Sequence, residues 1–389
     1  MNHFGRGDHV SRRQSLSGQG LSKNLEQGES AYQEIIHHDL SCFKIPNKTS
    51  EIPINRDISV MKALFIGGTG NISTPVSQLA ISRGIDLYHL NRGNRNPVPG
   101  VKSLTADLTD PVQVSKVLDG HRWDVVVNWI AYNPRDIQRD YDLFRGTTNQ
   151  YIFISSASAY QKPPVNPVIT ESTPLKNPVW QYSRDKIACE DLLVKLYREQ
   201  NFPMTILRPS HTYYSVIPVS LGGWEEFTVI DRMRKGLPVV VHGDGTSLWT
   251  MTHADDFAVG FLGLMNNSRA IGEAYHITSD EALTWNQIYQ AVSMAATGQE
   301  SKLVHLTSEF ISDYADNHGY PSVRGTLLGD KSHSALFDNT KIKRLVPEFQ
   351  ARIPFAEGVK RTIAWFDADP ARRIIKPETN RFLDELLKS

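Results

Sequence analysis

Apolar positions after residue 61 fall into two patterns that alternate along the chain. One is a short run that is apolar at nearly every position, as in residues 62–66, 86–90, 123–131, 151–154 and 204–207. Such runs suit parallel strands, which helices cover on both faces. The other is a longer stretch of helical period. Residues 75–84 open with Pro75 in a first turn and stop at Gly84, a glycine suited to a C-terminal cap. Residues 111–118 and a stretch from Gln181 through Leu196 read the same way. Strand and helix recurring at this rhythm predict an α/β fold, a doubly wound parallel sheet. Beyond Gly260 the chain reads as mostly helical and predicts a smaller C-terminal lobe.

The first sixty residues lack either pattern. They are rich in Ser, Gly, Asn, Gln and His, and read as a disordered extension unable to bury enough surface to order itself. Arg12-Arg13 superficially suggests a twin-arginine export signal, but no apolar stretch follows, so export is rejected. A start at Met61 is the other reading of this segment.

Charge removes some function classes. Lys+Arg number 42 and Asp+Glu 42, so the formal net charge is zero. The first sixty residues carry seven of each sign, so no basic body hides behind an acidic tail. A dedicated nucleic-acid binder is disfavoured. No run of ~18 apolar residues exists to span a membrane. Two cysteines, Cys42 and Cys189, exclude a disulfide framework and a cysteine zinc site, and a reducing cytoplasm is the simplest setting. Histidines are scattered without ligand spacing, so no metal site is expected.

The candidate chemistry begins where the first strand ends. Gly67-Gly68-Thr69-Gly70-Asn71-Ile72-Ser73 joins that strand to the first helix. Glycines let the backbone approach a pyrophosphate, and a helix N-terminus offers N–H donors. About 20 residues beyond the glycines a ribose-binding acid is usual. Asn91 stands there instead, followed by Arg92 and near Arg95, a setting that favours NADP over NAD. Further on, Ser155-Ser156 closes a strand, and Tyr182 and Lys186 lie one helical turn apart on a single face. An ammonium beside a phenol lowers its pKa toward operating pH, so the tyrosine can exchange a proton with a substrate oxygen.

This Gly-x-x-Gly-x-x-Ser turn, Ser-x-x-x-Tyr strand end and Tyr-x-x-x-Lys helix together resemble the extended short-chain dehydrogenase/reductase family, the NAD-dependent epimerases and dehydratases. The resemblance covers nearly everything from Met61 onward. Ser73 departs from the family by replacing its third glycine. The resemblance implies a Rossmann domain mainly over residues 61–210. It implies a substrate lobe mainly over 211–389, with segments returning to the first domain. It implies cofactor contacts at Gly67, Thr69, Gly70, Asn71, Ile72, Arg92, Asp107, Leu108 and Ala131. Asp107 reads equally well as the cap of the helix at 111–118. Ser156, Tyr182 and Lys186 match the catalytic serine, the acid/base and the ribose-binding lysine. Ser155 and Ser158 are lesser candidates for the serine.

On the substrate side the resemblance implies contacts from Ser156, His211, Trp249 and His253. Trp249 stands where many relatives carry a diphosphate-binding arginine, which weakens the case for a nucleoside-diphosphate sugar. Trp249 reads at least equally well as a structural residue, and for His253 the structural reading is favoured. The expected function is hydride transfer at a secondary alcohol or ketone carbon, on a sugar or nucleotide-sugar-like small molecule. The absence of Asp or Glu among residues 155–158 makes dehydration the weaker outcome. A homodimer through the Tyr–Lys helix is expected. The alternative is a non-catalytic NAD(P)-binding member with an RNA-binding or regulatory role, since some chloroplast and cyanobacterial relatives with a similar Asn-Arg-Gly strand end associate with RNA.

Overall fold

The computed structural model describes residues 60–388. The expectations for residues 1–59, the extension and the rejected export signal, lie outside the described residues.

Seven strands form the main sheet: β1 (Lys62–Ile66), β2 (Asp86–Asn91), β3 (Lys102–Thr105), β4 (Val125–Asn128), β5 (Tyr151–Ile154), β6 (Met204–Leu207) and β7 (Ala274–Tyr275). All pair in parallel, in the order β7-β6-β5-β4-β1-β2-β3. The winding direction reverses between β1 and β4. At such a switch point the connections leave in opposite directions, and a crevice opens beyond the strands' carboxyl ends.

Alternate residues of the central strands feed two separate cores. Ala63 and Phe65 of β1, Val125 and Val127 of β4, and Ile152 and Ile154 of β5 share one. Leu64, Ile66, Val126, Tyr151 and Phe153 share the other. Both faces are therefore apolar, which is why the sequence shows continuous runs rather than alternation. Burying a side chain of this size contributes about 1.5–3 kcal/mol.

Helix α1 (Ser73–Ser82) and helix α5 (Ala254–Leu264) cover the first face. Helices α2 (Pro111–Leu118), α3 (Pro134–Phe144) and α4 (Gln181–Gln200) cover the second. Pro75 lies in the first turn of α1, and Gly84 sits just past its end at φ +76°. The cap of α2 is Asp110, whose side chain accepts from the N–H groups of Val112 and Gln113. The sequence offers Asp107 equally for that cap. It instead accepts from Thr109, two residues on, in a local turn.

A third core belongs to the C-terminal lobe, built on Trp285, Tyr289, Val239–Val241, Phe355 and Phe366. Helix α6 (Trp285–Thr297) carries a capping box from Thr284 and Gln287, and packs on helix α7 (Phe355–Asp367). The lobe is less purely helical than its sequence suggests. Residues 283–284, 303–306 and 336–337 form short strands that pair with 248–249, 239–242 and 168–169. Strands of two to four residues are too short to display a period. Residues 254–278 and 340–349 return to the Rossmann side, where Phe257, Phe261, Tyr275, Ile342 and Phe349 join the first core.

Candidate active site

A cleft of about 1000 Å³ lies over the switch point. Its floor at one end is the turn after β1. Gly67 adopts φ +82°, and a Cβ there would meet Ile130 at 2.6 Å. At Gly68 a Cβ would fall 2.3 Å from the imidazole of His89, which fills the space beneath the turn. Only glycine fits either position. Ser73, the departure from the family turn, closes the loop on itself. Its Oγ accepts the N–H of Gly70 at 2.8 Å and donates toward the carbonyl of Gly67 at 3.4 Å. Asn71 anchors the turn from the other side, donating to the Thr212 carbonyl at 2.9 Å and accepting the Ser215 N–H at 3.0 Å. No side chain caps α1 at Ile72. Its first turn thus keeps N–H donors and the positive end of the helix dipole for an anion.

The residues present fit a dinucleotide. Gly67, Thr69, Gly70, Asn71 and Ile72 line the cleft at the glycine turn, and Arg92, Asp107 and Leu108 line it at the ends of β2 and β3. Ala131 is buried and contributes its backbone carbonyl to Lys186 rather than a wall of the cleft. Asn91 and Arg95 also line the β2 end, and Arg95 donates to the Thr69 carbonyl at 3.3 Å.

The chemistry-bearing residues meet at the middle of the cleft. Ser156 follows β5, while Tyr182 and Lys186 occupy successive turns of α4. The Lys186 ammonium donates to the carbonyls of Ala131 at 2.6 Å and Ile154 at 2.8 Å. It lies 5.7 Å from the centre of the Tyr182 ring. Burial lowers the Lys186 pKa to about 8. Burial likewise pushes the Tyr182 phenol up, while the nearby Ser156 hydroxyl pulls the other way. The expected lowering of the tyrosine pKa by the lysine is therefore not what this state displays. Desolvation outweighs the cation, which is itself desolvated and turned toward two carbonyls.

Ser156 is oriented by a short chain of hydroxyls. Ser183 donates to Ser158 at 2.8 Å, and Ser158 lies 2.8 Å from Ser156. The Ser158 N–H adds a second donor to Ser156 Oγ at 3.2 Å. Either hydroxyl can donate across the Ser156–Ser158 contact; where Ser158 donates, Ser156 has its own proton for another oxygen in the cleft. Ser155, a lesser candidate, has a different task. Its hydroxyl donates to Glu190, which also accepts a bidentate pair from Arg208 at 2.6 and 3.0 Å.

At the other end of the cleft the predicted residues divide. His211 and Trp249 line it, both nearly buried. Burial lowers the His211 pKa to about 3, so the ring is neutral. His253 is placed elsewhere. It is 1% exposed, accepts the Asp255 N–H at the start of α5, and packs edge-on against Tyr213. It does not line the cleft.

Several lining residues escaped the sequence reading: Tyr132, Lys162, Trp180, Trp224, Asp330 and Lys331. Apart from the adjacent Asp330 and Lys331, which share one helical turn, they come from separate segments, and they share no motif. Glu190 had a signal. It stands one turn beyond Lys186, extending the Tyr182–Lys186 face by another four residues. Among the described residues no cluster of metal-ligating side chains occurs, and no helix is long and apolar enough to cross a membrane.

Comparison with known proteins agrees with this geometry. The family model for the NAD dependent epimerase/dehydratase family matches residues 63–278. A 2'-dehydrokanamycin reductase of Streptomyces kanamyceticus is 23% identical over 75% of this chain and 81% of its own length. A chloroplast stem-loop binding protein of 41 kDa from Arabidopsis thaliana is 25% identical over 68% of this chain and 70% of its own. Among solved structures, the UDP-glucose 4-epimerase of Bifidobacterium longum, in complex with NAD+ and UDP, superposes with a TM-score of 0.62. It is 19% identical, and the match covers 80% of this chain and 99% of that one. The chain belongs to the NAD-dependent epimerase/dehydratase family, within the extended short-chain dehydrogenases/reductases.

Proposed function

We propose that the protein is an NAD(P)-dependent oxidoreductase or epimerase acting at a secondary alcohol or ketone carbon of a sugar-like ring. One observation carries this reading: Ser156, Tyr182 and Lys186 converge on the same cleft as the glycine turn. A bound nicotinamide would supply hydride acceptance and donation, chemistry that no side chain performs. Ser156 holds the substrate oxygen by donating its hydroxyl proton to it. Tyr182 exchanges a proton with that oxygen. Lys186, pinned by two carbonyls, fixes the cofactor ribose and supplies positive charge beside the phenol.

NADP is favoured over NAD. Asn91 brings no carboxylate to repel a 2′-phosphate, and Arg92 stands beside it at the cleft. A reductase releases its cofactor after each turnover, whereas an epimerase keeps it. Cofactor retained through gel filtration therefore speaks for epimerisation. Tyr182→Phe tests the chemistry. Turnover should fall by about 10²–10⁴-fold, the usual worth of a positioned acid/base, while NADP still raises the melting temperature. Full activity in this variant would refute the mechanism.

RNA binding, suggested by one relative's name, finds less support. The zero net charge offers no broad electrostatic attraction to phosphate.

A further inference from the structure

The end of the cleft opposite the glycine turn holds an unbalanced set of hydrogen-bond donors. Lys162 and Lys331 both line it. Lys162 is 2% exposed and is matched by Asp330 at 3.6 Å. Lys331 has no such match. Among the described residues no acceptor lies within hydrogen-bond or ion-pair distance of its ammonium, although neighbouring Asp330 favours its charge at longer range. Burial lowers its pKa, and the Lys162 charge adds to that.

This lysine is held in place. Its backbone carbonyl accepts from His242 Nε2 and Trp285 Nε1, each at 3.0 Å. The Gly329 carbonyl accepts from Asn177 at 2.7 Å, and the same Asn177 accepts the N–H of Trp180, the residue just before α4, at 2.9 Å. The helical turn that carries Lys331 is thereby tied to the segment that leads into the helix of Tyr182. Beside it, Trp249 is 3% exposed and its indole N–H finds no acceptor among the described residues. Lys162 lies 5.7 Å from the Trp249 ring. The His211 ring is neutral and its Nε2 also lacks a partner. An ammonium and an indole N–H can only donate, so the missing partner is an acceptor. A buried donor left unpaired is costly, and a bound oxyanion would supply the acceptor that the Trp249 indole lacks.

Resting on the oxidoreductase reading of the same cleft, we infer that its substrate carries a single oxyanion, a carboxylate or phosphate monoester on the sugar-like ring, held by Lys331 with Lys162 and Trp249. Two ammonium groups less one carboxylate leave the corner one net positive charge, so an acid group suits it better than a neutral hydroxyl. The same charge disfavours an aminated sugar. Of the other acids lining the cleft, Asp107 lies at the cofactor end and Glu225 acts on Tyr132 rather than on either lysine.

Calorimetric titration of the full chain, saturated with its preferred nicotinamide cofactor, tests this without turnover. The probes are D-glucuronate, D-glucose 6-phosphate, D-glucose and UDP-glucose. At least one of the two acids should bind tenfold or more tighter than glucose, and which one does so distinguishes carboxylate from phosphate. Lys331→Met should abolish that preference while leaving glucose binding unchanged, and Lys331→Arg should largely retain it. Unaltered melting temperatures establish that the variants fold. Lys162→Met, expected to weaken the same probes, provides an independent variant should Lys331→Met fail to fold. Equal binding of glucose and both acids, no binding of either acid, tighter binding of UDP-glucose, or an unchanged preference in Lys331→Met would overturn the inference. The two readings fail separately. If the chain takes up no cofactor, the probes are titrated against the chain alone, and anion preference there keeps this inference while the redox reading falls.

Discussion

The two ends of the cleft are made differently. The glycine-turn end is built from consecutive strand ends, β1, β2 and β3, each followed by a few lining residues. Most of its contacts are local, such as Ser73 with Gly70 and Asp107 with Thr109, with Asn71 reaching Thr212 and Ser215 as the long-range anchor. The lysine end is assembled from segments far apart in sequence: Lys162, His211, Trp249 and Lys331. Its supports are long-range, as in Asn177 to Gly329 or Trp285 to Lys331. The first end can keep its form while the rest of the chain varies. The second can change its ligand by altering one loop. Between them sits α4, which serves both.

Breaking α4 should therefore produce the largest effects. Tyr182→Phe, with its expected loss of about 10²–10⁴ in turnover, separates chemistry from binding, because neither end of the cleft loses a contact. Glu190→Gln strikes beneath both ends. Glu190 is 2% exposed and pairs with Arg208, which is 5% exposed. Removing one partner of a buried pair leaves an uncompensated charge and costs about 3–5 kcal/mol. Chemical denaturation should show that loss, and it should exceed the loss from Glu190→Gln/Arg208→Met, in which the pair is removed together. Equal losses would mean that the pair's geometry, not the orphaned charge, matters.

How much could be read beforehand follows the same division. β1, β5, the Tyr182–Lys186 face and the Thr284 cap were legible because each rests on neighbours within one element. The lysine end was not legible, since nothing near Lys331 in sequence indicates that Lys162 and Trp249 will stand beside it. The electrostatics of Tyr182 were misread for a related reason. Spacing on a helix places the ammonium near the phenol, but it says nothing of the burial that desolvates both. His253 shows the converse. The resemblance implies a substrate contact there, but the structural role that the sequence favoured is the one the fold gives it, at the start of α5.

His89 sharpens the comparison through pH. It lies under Gly68, 1% exposed, with Nε2 bonded to Ser77 and Nδ1 unpartnered. Burial lowers its pKa from 6.5 to about 4. The unfolded chain binds its proton first as pH falls, so the neutral buried form contributes stability above 6.5 that is lost between 6.5 and about 4. For one histidine this amounts to roughly 3 kcal/mol at most. His242, lowered to about 4 beneath the lysine end, behaves alike. Denaturant midpoints measured from pH 7 to pH 4 should fall, and His89→Gln should flatten the slope. A variant with the parent's slope would assign the acid sensitivity to the lysine end.

The smallest effect concerns the cofactor end alone. Arg92 and Arg95 both face the space beside Asn91, but they are not equally available. Arg95 already donates to the Thr69 carbonyl, while Arg92 makes no hydrogen bond or ion pair within the described residues and only biases Asp107 toward its charged form. Arg92 is thus the freer group for a 2′-phosphate. It is exposed, so solvent screens what it adds, and such a pair is worth at most about 1 kcal/mol. Arg92→Ser should therefore lower the preference for NADP over NAD by about three- to fivefold and leave NAD affinity unchanged. Titrating both cofactors by thermal shift reads the ratio directly. If Arg92→Ser leaves the ratio unchanged but Arg95→Ser lowers it, the phosphate draws Arg95 off Thr69, and the cofactor end is less preformed than its local contacts imply.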